Sequence, residues 1–307
     1  MPLIEPIGLR PGRPGAVTVD GVAEGYEAFA LAQVQQEIAP GGPLLFVLRD
    51  GQRLPALREA LTFAAPSLPV LDLPAWDCLP YDRVSPGAEA AARRLDAMAA
   101  MAGLARAPHR AIVLTTVNAL LQRMPAASDI EAQLFSARPG NQVDMNALVA
   151  RLEGSGFERV ATVREVGEYA VRGGILDLFV PGAEEPLRLD FFGDTLESIR
   201  AFDPATQRTT GQREALRLGP MSEVTLTADA ISRFRRNYIE AFGAPSKDDA
   251  LYAAISEGRR FAGMEHWLPF FHEQLETVFD YLPDAPVVFD HLAHDAIEER
   301  HALILDH

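Results

Sequence analysis

Three kinds of residue in this 307-residue chain have types and spacings that could do chemistry: glycines able to cradle phosphate, histidines able to hold a metal, and arginines able to grip carboxylates. A phosphate loop needs glycines for backbone approach, a Lys for the phosphates and a hydroxyl for magnesium. The corresponding stretch here runs from Val17 to Tyr26 and keeps Gly21 and Gly25, but no Lys follows. Glu24 places negative charge where a polyphosphate would sit, so Gly21, Glu24 and Gly25 read as a degenerate loop or an ordinary strand-to-helix turn.

His291 and His294 stand three apart, flanked by Asp290 and Asp295, but nothing upstream completes a metal set, and a solvated helix start accounts for them. No Gly-x-Ser-x-Gly elbow occurs, and the single cysteine, Cys78, has no evident His partner. Arg159, Arg164 and Arg172 lie on strand-like runs, and Gly173-Gly174 permits a tight turn that aims Arg172 outward. Such arginines form either a solvated face or a docking point for carboxylates. The segment Trp76–Pro86, with two aromatics, two prolines and alternating charges, reads as a rigid loop.

The elements that must position these residues follow from periodicity. Residues 21–38, 52–64, 87–105 and 117–123 have helical character. They alternate with short apolar runs at 44–48, 68–73 and 111–115, the pattern of a parallel α/β sheet. After Pro125 a helix at 145–154 is followed by strand runs at 159–165, 168–172, 175–180, 187–192 and 196–202, the last two joined by Gly193-Asp194 as a hairpin. Helices return at 227–242 and 247–257, where Ser246 and Asp249 resemble a capping box. A strand at 286–290 and a charged helix at 293–305 end the chain.

The formal net charge is −15, from 28 Lys plus Arg against 43 Asp plus Glu, which counts against DNA or an anionic membrane as a partner. The cysteine count, the lack of an apolar signal core and the lack of a membrane-length apolar run lead us to expect a soluble cytoplasmic protein.

Two segments resemble the bacterial transcription-repair coupling factors (Mfd). One is Trp76 with Leu79–Asp82 and Ser85-Pro86. The other is Gly167–Ala170, Arg172-Gly173, Leu176–Phe179 and Arg188–Phe192. Phe202-Asp203, Gln207–Thr209 and Gly263–Trp267 extend the match to about residues 20–290.

The resemblance implies a module similar to the damage-recognition protein UvrB. Its fold would be a degenerate RecA-like (P-loop NTPase-like) parallel-sheet domain in two chain segments, 1–125 and 213–307, with a small α+β antiparallel-sheet domain, 126–212, inserted. It implies UvrA as partner, and an intramolecular C-terminal domain that partly masks the same surface. RNA polymerase and DNA would be reached only through absent domains. No cofactor is implied for this chain, ATP and magnesium belonging to the absent motor. No helicase motif occurs, so the chain reads as a fragment or a stand-alone piece. The Tyr-rich hairpin of UvrB has no room between Asp82 and the Ala-rich helix. In UvrB three arginines serve UvrA. Arg159 fits the upstream one and Arg172 the last of an Arg-x-Arg-Gly unit, while Ala170 stands at the middle position. Phe179 is a further candidate, with burial as its other reading. The competing readings are a nucleotide-binding hydrolase with an atypical phosphate loop and a DNA-binding module.

Overall fold

The structure, a computed structural model, describes residues 17–23, 25–79, 83–180, 183–219, 222–246 and 248–306. They divide into two units, one of residues 1–75, 100–124 and 276–307, the other of 76–99 and 125–275. The class is α/β, with one parallel and one mainly antiparallel sheet.

The first unit is built on four parallel strands in the order Val287–Phe289, Pro43–Leu48, Ala111–Thr116, Val70–Leu73. The two central strands are apolar without alternation because both of their faces are buried, as parallel strands require. Leu44, Phe46 and Leu48 pack with Ile112 and Leu114 against the helices Glu27–Ile38 and Leu54–Ala64. The fully buried Gln35 ends the first of these helices. Its amide donates to the carbonyls of Ala39 and Gly42, and its oxygen accepts from Arg110 at 2.9 Å. The helix expected from residue 21 begins only at Glu27, because Gly21 and Gly25 have φ of +70° and +82°. Val117–Leu120 is a single turn, shorter than expected.

The second unit carries a six-stranded sheet in the order Thr209–Gln212, Thr195–Phe202, Leu187–Phe192, Ile175–Leu178, Glu168–Arg172, Glu158–Arg159. All neighbours are antiparallel except the last pair. One face, through Tyr169, Leu176, Leu178, Leu189, Leu196 and Ile199, buries against the helix Met145–Ser155. That helix starts on an Asp144 cap and stops at Gly156 with φ of +98°. The strand expected over 159–165 ends at Arg159. The Glu168 carboxylate accepts from the N–H of Arg164 and Glu165 at 2.7 and 2.8 Å, which folds the following residues into a loop.

The opposite face carries a buried ion pair. Asp177 and Arg188 are cross-strand partners joined by two bonds of 2.7 and 2.8 Å, with the guanidinium over the Phe202 ring. Beside them Arg200 grips Asp190 at 2.9 and 2.8 Å. The aromatic helix Ala228–Phe242 packs on Ile255, Met264, Leu268 and Phe271. The expected capping box at Ser246 is not formed. Asp249 is itself the cap of Ala250–Ser256, accepting from the Tyr252 N–H at 2.9 Å.

Asp177→Ala strands a guanidinium that is mostly withdrawn from water, and it is expected to cost about 3 kcal/mol in urea unfolding. Asp177→Leu with Arg188→Met recovers most of that loss. A single variant as stable as the wild type contradicts the assignment.

Candidate partner-binding surface

At the degenerate phosphate loop, residues 17–23 are exposed and irregular, and a side chain at Gly21 or Gly25 would meet nothing within 4 Å. Glu24 lies outside the described residues. Residues 17–23 form no strand themselves, and the residues before them lie outside the described ones. Open parallel sheets hold ligands at the carboxyl ends of their strands. In the first unit that position belongs to Asp290, which accepts from Arg53 at 3.1 and 3.2 Å, and Arg53 also pairs with Glu27. The Asp290 carboxylate is already engaged by a guanidinium, and Asp50, two residues beyond the strand Pro43–Leu48, accepts from Arg49 and the Gln52 N–H.

The histidines form no metal set, and the described residues hold no cluster of three possible ligands. His294 packs on the Phe289 ring at 4.4 Å between centroids, in the first turn of Ala293–Leu305. Cys78 does have a His neighbour, contrary to expectation: its sulfur lies 3.9 Å from Nε2 of His266. The same Nε2 lies 3.0 Å from the Val84 carbonyl, which can only accept. Nε2 must carry the proton there, so it is not a base for the thiol.

The contacts of this histidine explain the loop that begins at Trp76. Ser85 donates to Glu265 at 2.6 Å and accepts from the Gly263 N–H at 3.0 Å, and Trp76 stands edge-on to His266. Gly263 has φ of +79°, and a Cβ there would come within 3.0 Å of the Arg83 backbone. Trp76 also donates to Glu223 at 2.7 Å, and Glu223 takes a second bond of 2.8 Å from Arg94. Arg94 is 0% and Glu223 3% exposed. Sequence reasoning missed this pair. An Arg inside an Ala-rich helix looks solvated, and its only signal is the surrounding run of small apolar residues.

A cleft of about 410 Å³ in the same unit is lined by Glu158, Glu165, Glu168, Glu223, which Arg94 already pairs, and Glu265, with Arg260 as the only basic residue among the described residues of its lining. This excess of carboxylates repels a polyphosphate.

The candidate arginines sit on the edge of the six-stranded sheet. Arg159 is exposed on its last strand, in register with Tyr169. Arg172 is exposed at the end of Glu168–Arg172, where it donates to the Ala161 carbonyl at 2.5 Å and the Thr162 hydroxyl at 3.2 Å. Strand alternation puts the two on opposite faces, so the structure does not bring them into one contact. Among the described residues neither has a carboxylate within salt-bridge distance, unlike Arg188, Arg200 and Arg213. Phe179 is half-buried against Val163, Ala170 and Phe202, nearer the core reading than the contact reading.

Residues 135–223 match the family model of the UvrB interaction domain. Over most of its length the chain is similar to transcription-repair-coupling factors. It is 34% identical to that of Escherichia coli over 83% of this chain and 22% of the relative. For Haemophilus influenzae the identity is 32% over 88% and 23%, and for Myxococcus xanthus 37% over 91% and 25%. The chain thus spans about a quarter of the length of these curated relatives. The resemblance read from the sequence is borne out: the chain is a homologue of a segment of the transcription-repair-coupling factors and carries a UvrB interaction domain.

Removing Glu223 takes the carboxylate from a fully buried guanidinium. Glu223→Ala is expected to lose about 3 kcal/mol or more in chemical denaturation, against less than about 0.5 kcal/mol for the exposed Glu165→Ala. Equal losses would contradict the role given to Glu223.

Proposed function

We propose that this chain is the UvrA-recruiting module of a transcription-repair coupling factor, a UvrB-like unit that brings nucleotide excision repair to stalled RNA polymerase in the bacterial cytoplasm. The observation that carries this reading is the UvrB interaction domain at 135–223, with Arg159 and Arg172 exposed on its sheet edge and free of carboxylate partners among the described residues. Arginine forks fit carboxylates in a partner's surface. In this reading a degenerate RecA-like domain, 1–125 and 213–307, holds the inserted domain, 126–212. Phe179 supports the surface from below, and a C-terminal domain of the longer protein covers it until it is needed. ATP, magnesium, DNA and RNA polymerase belong to the remainder of such a protein.

A nucleotide hydrolase is the second reading. The guanidinium on Asp290, the missing Lys and the acidic cleft all disfavour it.

The deciding experiment is capture of purified UvrA by this chain, with the Arg159→Ala/Arg172→Ala double variant alongside. The expected result is capture by the wild type and a loss of about 30-fold or more in affinity for the variant, at an unchanged melting temperature. A folded wild type that captures no UvrA overturns the recruitment reading. For the second reading, millimolar Mg-ATP is expected to leave the melting temperature unchanged, since a ligand of the native state must raise it. A clear rise would favour the hydrolase.

A further inference from the structure

The two hairpin tips of the six-stranded sheet end side by side. Arg172 pairs with Ile175 across Gly173-Gly174, Ile175 pairs with Asp190, and Asp190 pairs with Ser198. These residues form one row on one face. Phe192 lies two residues beyond Asp190, on the same face by alternation, and pairs with Thr195 across Gly193-Asp194. It is 76% exposed.

The cause of that exposure is on the neighbouring strand. The place beside Phe192 is taken by the glycine turn, which has no side chain to cover the ring. The turn cannot acquire one at Gly174. The Gly174 carbonyl accepts from the Phe191 N–H at 2.7 Å, and a Cβ on Gly174 would stand 2.7 Å from the Phe191 carbonyl oxygen. The sheet therefore holds a bare aromatic ring at this tip, at the cost of keeping a large apolar side chain in water.

Charge on this face is distributed to match. Arg188 is neutralised by Asp177, and Arg200 by Asp190. Among the described residues Arg172 has no carboxylate within salt-bridge distance, its donors being given to a carbonyl and a hydroxyl. Two strand spacings and one two-residue step put Arg172 and Phe192 about 12 Å apart, well inside a patch of about 800 Å² per partner.

We propose that Phe192 and Arg172 form one docking strip, an aromatic anchor beside an uncompensated guanidinium, fitted to a partner face with an apolar pocket flanked by a carboxylate. The strip rests on the recruitment reading above, with UvrA as its occupant, and it adds an apolar anchor to a surface assigned so far by arginines. Aromatic residues and Arg are both enriched at protein interfaces.

The test measures UvrA affinity for the wild type, Phe192→Ala, Arg172→Glu and the control Phe63→Ala, whose ring is equally exposed but lies on a helix of the first unit. Phe192→Ala is expected to weaken binding at least tenfold with an unchanged melting temperature, and Phe63→Ala to leave it intact. A photo-crosslinking phenylalanine at 192 is expected to label UvrA, and one at 63 is not. Wild-type affinity in Phe192→Ala, with binding lost in Arg172→Glu, overturns the anchor and leaves the recruitment reading standing. No binding by the wild type overturns both. Sedimentation showing self-association that Phe192→Ala abolishes gives the ring to a second copy of the chain and also overturns the proposal.

Discussion

Glu223 is the point on which most of the second unit turns. Its carboxylate receives the Arg94 guanidinium and the Trp76 indole, and its carbonyl lies 2.9 Å from Nε2 of His272. Four stretches of chain, distant in sequence, are thereby tied within a few ångströms. A guanidinium with no exposed surface tolerates only a fixed acceptor, because removing either charge leaves the other buried alone. That requirement specifies where the helix Ala88–Arg106 begins its path and where the segment after Leu218 must pass. Ser85 adds a second tie, donating to Glu265 and accepting from the Gly263 N–H.

The sheet behind the candidate surface solves a different problem. In a chain carrying a net charge of −15, a cation stays available only where its own carboxylates do not take it up. The sheet pairs some of its arginines internally. Arg188 and Arg200 are consumed in bidentate pairs that stiffen the sheet, while among the described residues Arg159 and Arg172 have no carboxylate partner at its margin. The net charge matters less than it seems. Screening over about 8 Å at physiological ionic strength leaves a docked carboxylate sensing the guanidinium beside it rather than distant acids. The negative total then discourages nucleic acid at long range, where many phosphates would act together, without forbidding a local protein contact.

Much of this was legible in the sequence, and the failures have physical causes. The buried parallel strands at 43–48 and 111–116 and the hairpin around Gly193 were visible because periodicity and turn chemistry agree there. The strand beyond Arg159 was misread because Val160 and Val163 have strand character, whereas the Glu168 side chain caps the chain into a loop. Propensity cannot show a cap supplied from outside the window. The Cys78–His266 approach, the Arg94–Glu223 pair and the pairing of Phe135–Ala137 with Leu216–Leu218 bring together residues far apart in the chain. For the arginines, exposure followed from their places beside glycines and at a strand end. Their distribution over two faces needed the register. Phe192 ends the strand run at 187–192, and only the neighbouring strand shows that a pair of glycines lies beside it.

The carboxyl end of the parallel sheet carries the argument about catalysis. A magnesium ion there would need Asp290 as an anionic ligand, and it would have to displace a guanidinium that Asp290 shares with Glu27. A bridging guanidinium supplies the charge compensation that a bound cation would otherwise provide. Arg53 also joins the start of one helix, the start of the next and the end of a strand. A nucleotide would therefore have to break a structural tie to gain its metal, and it would do so beside a loop that lacks the lysine to offset its charge. The same three residues that brace the sheet disfavour the chemistry its topology would otherwise permit.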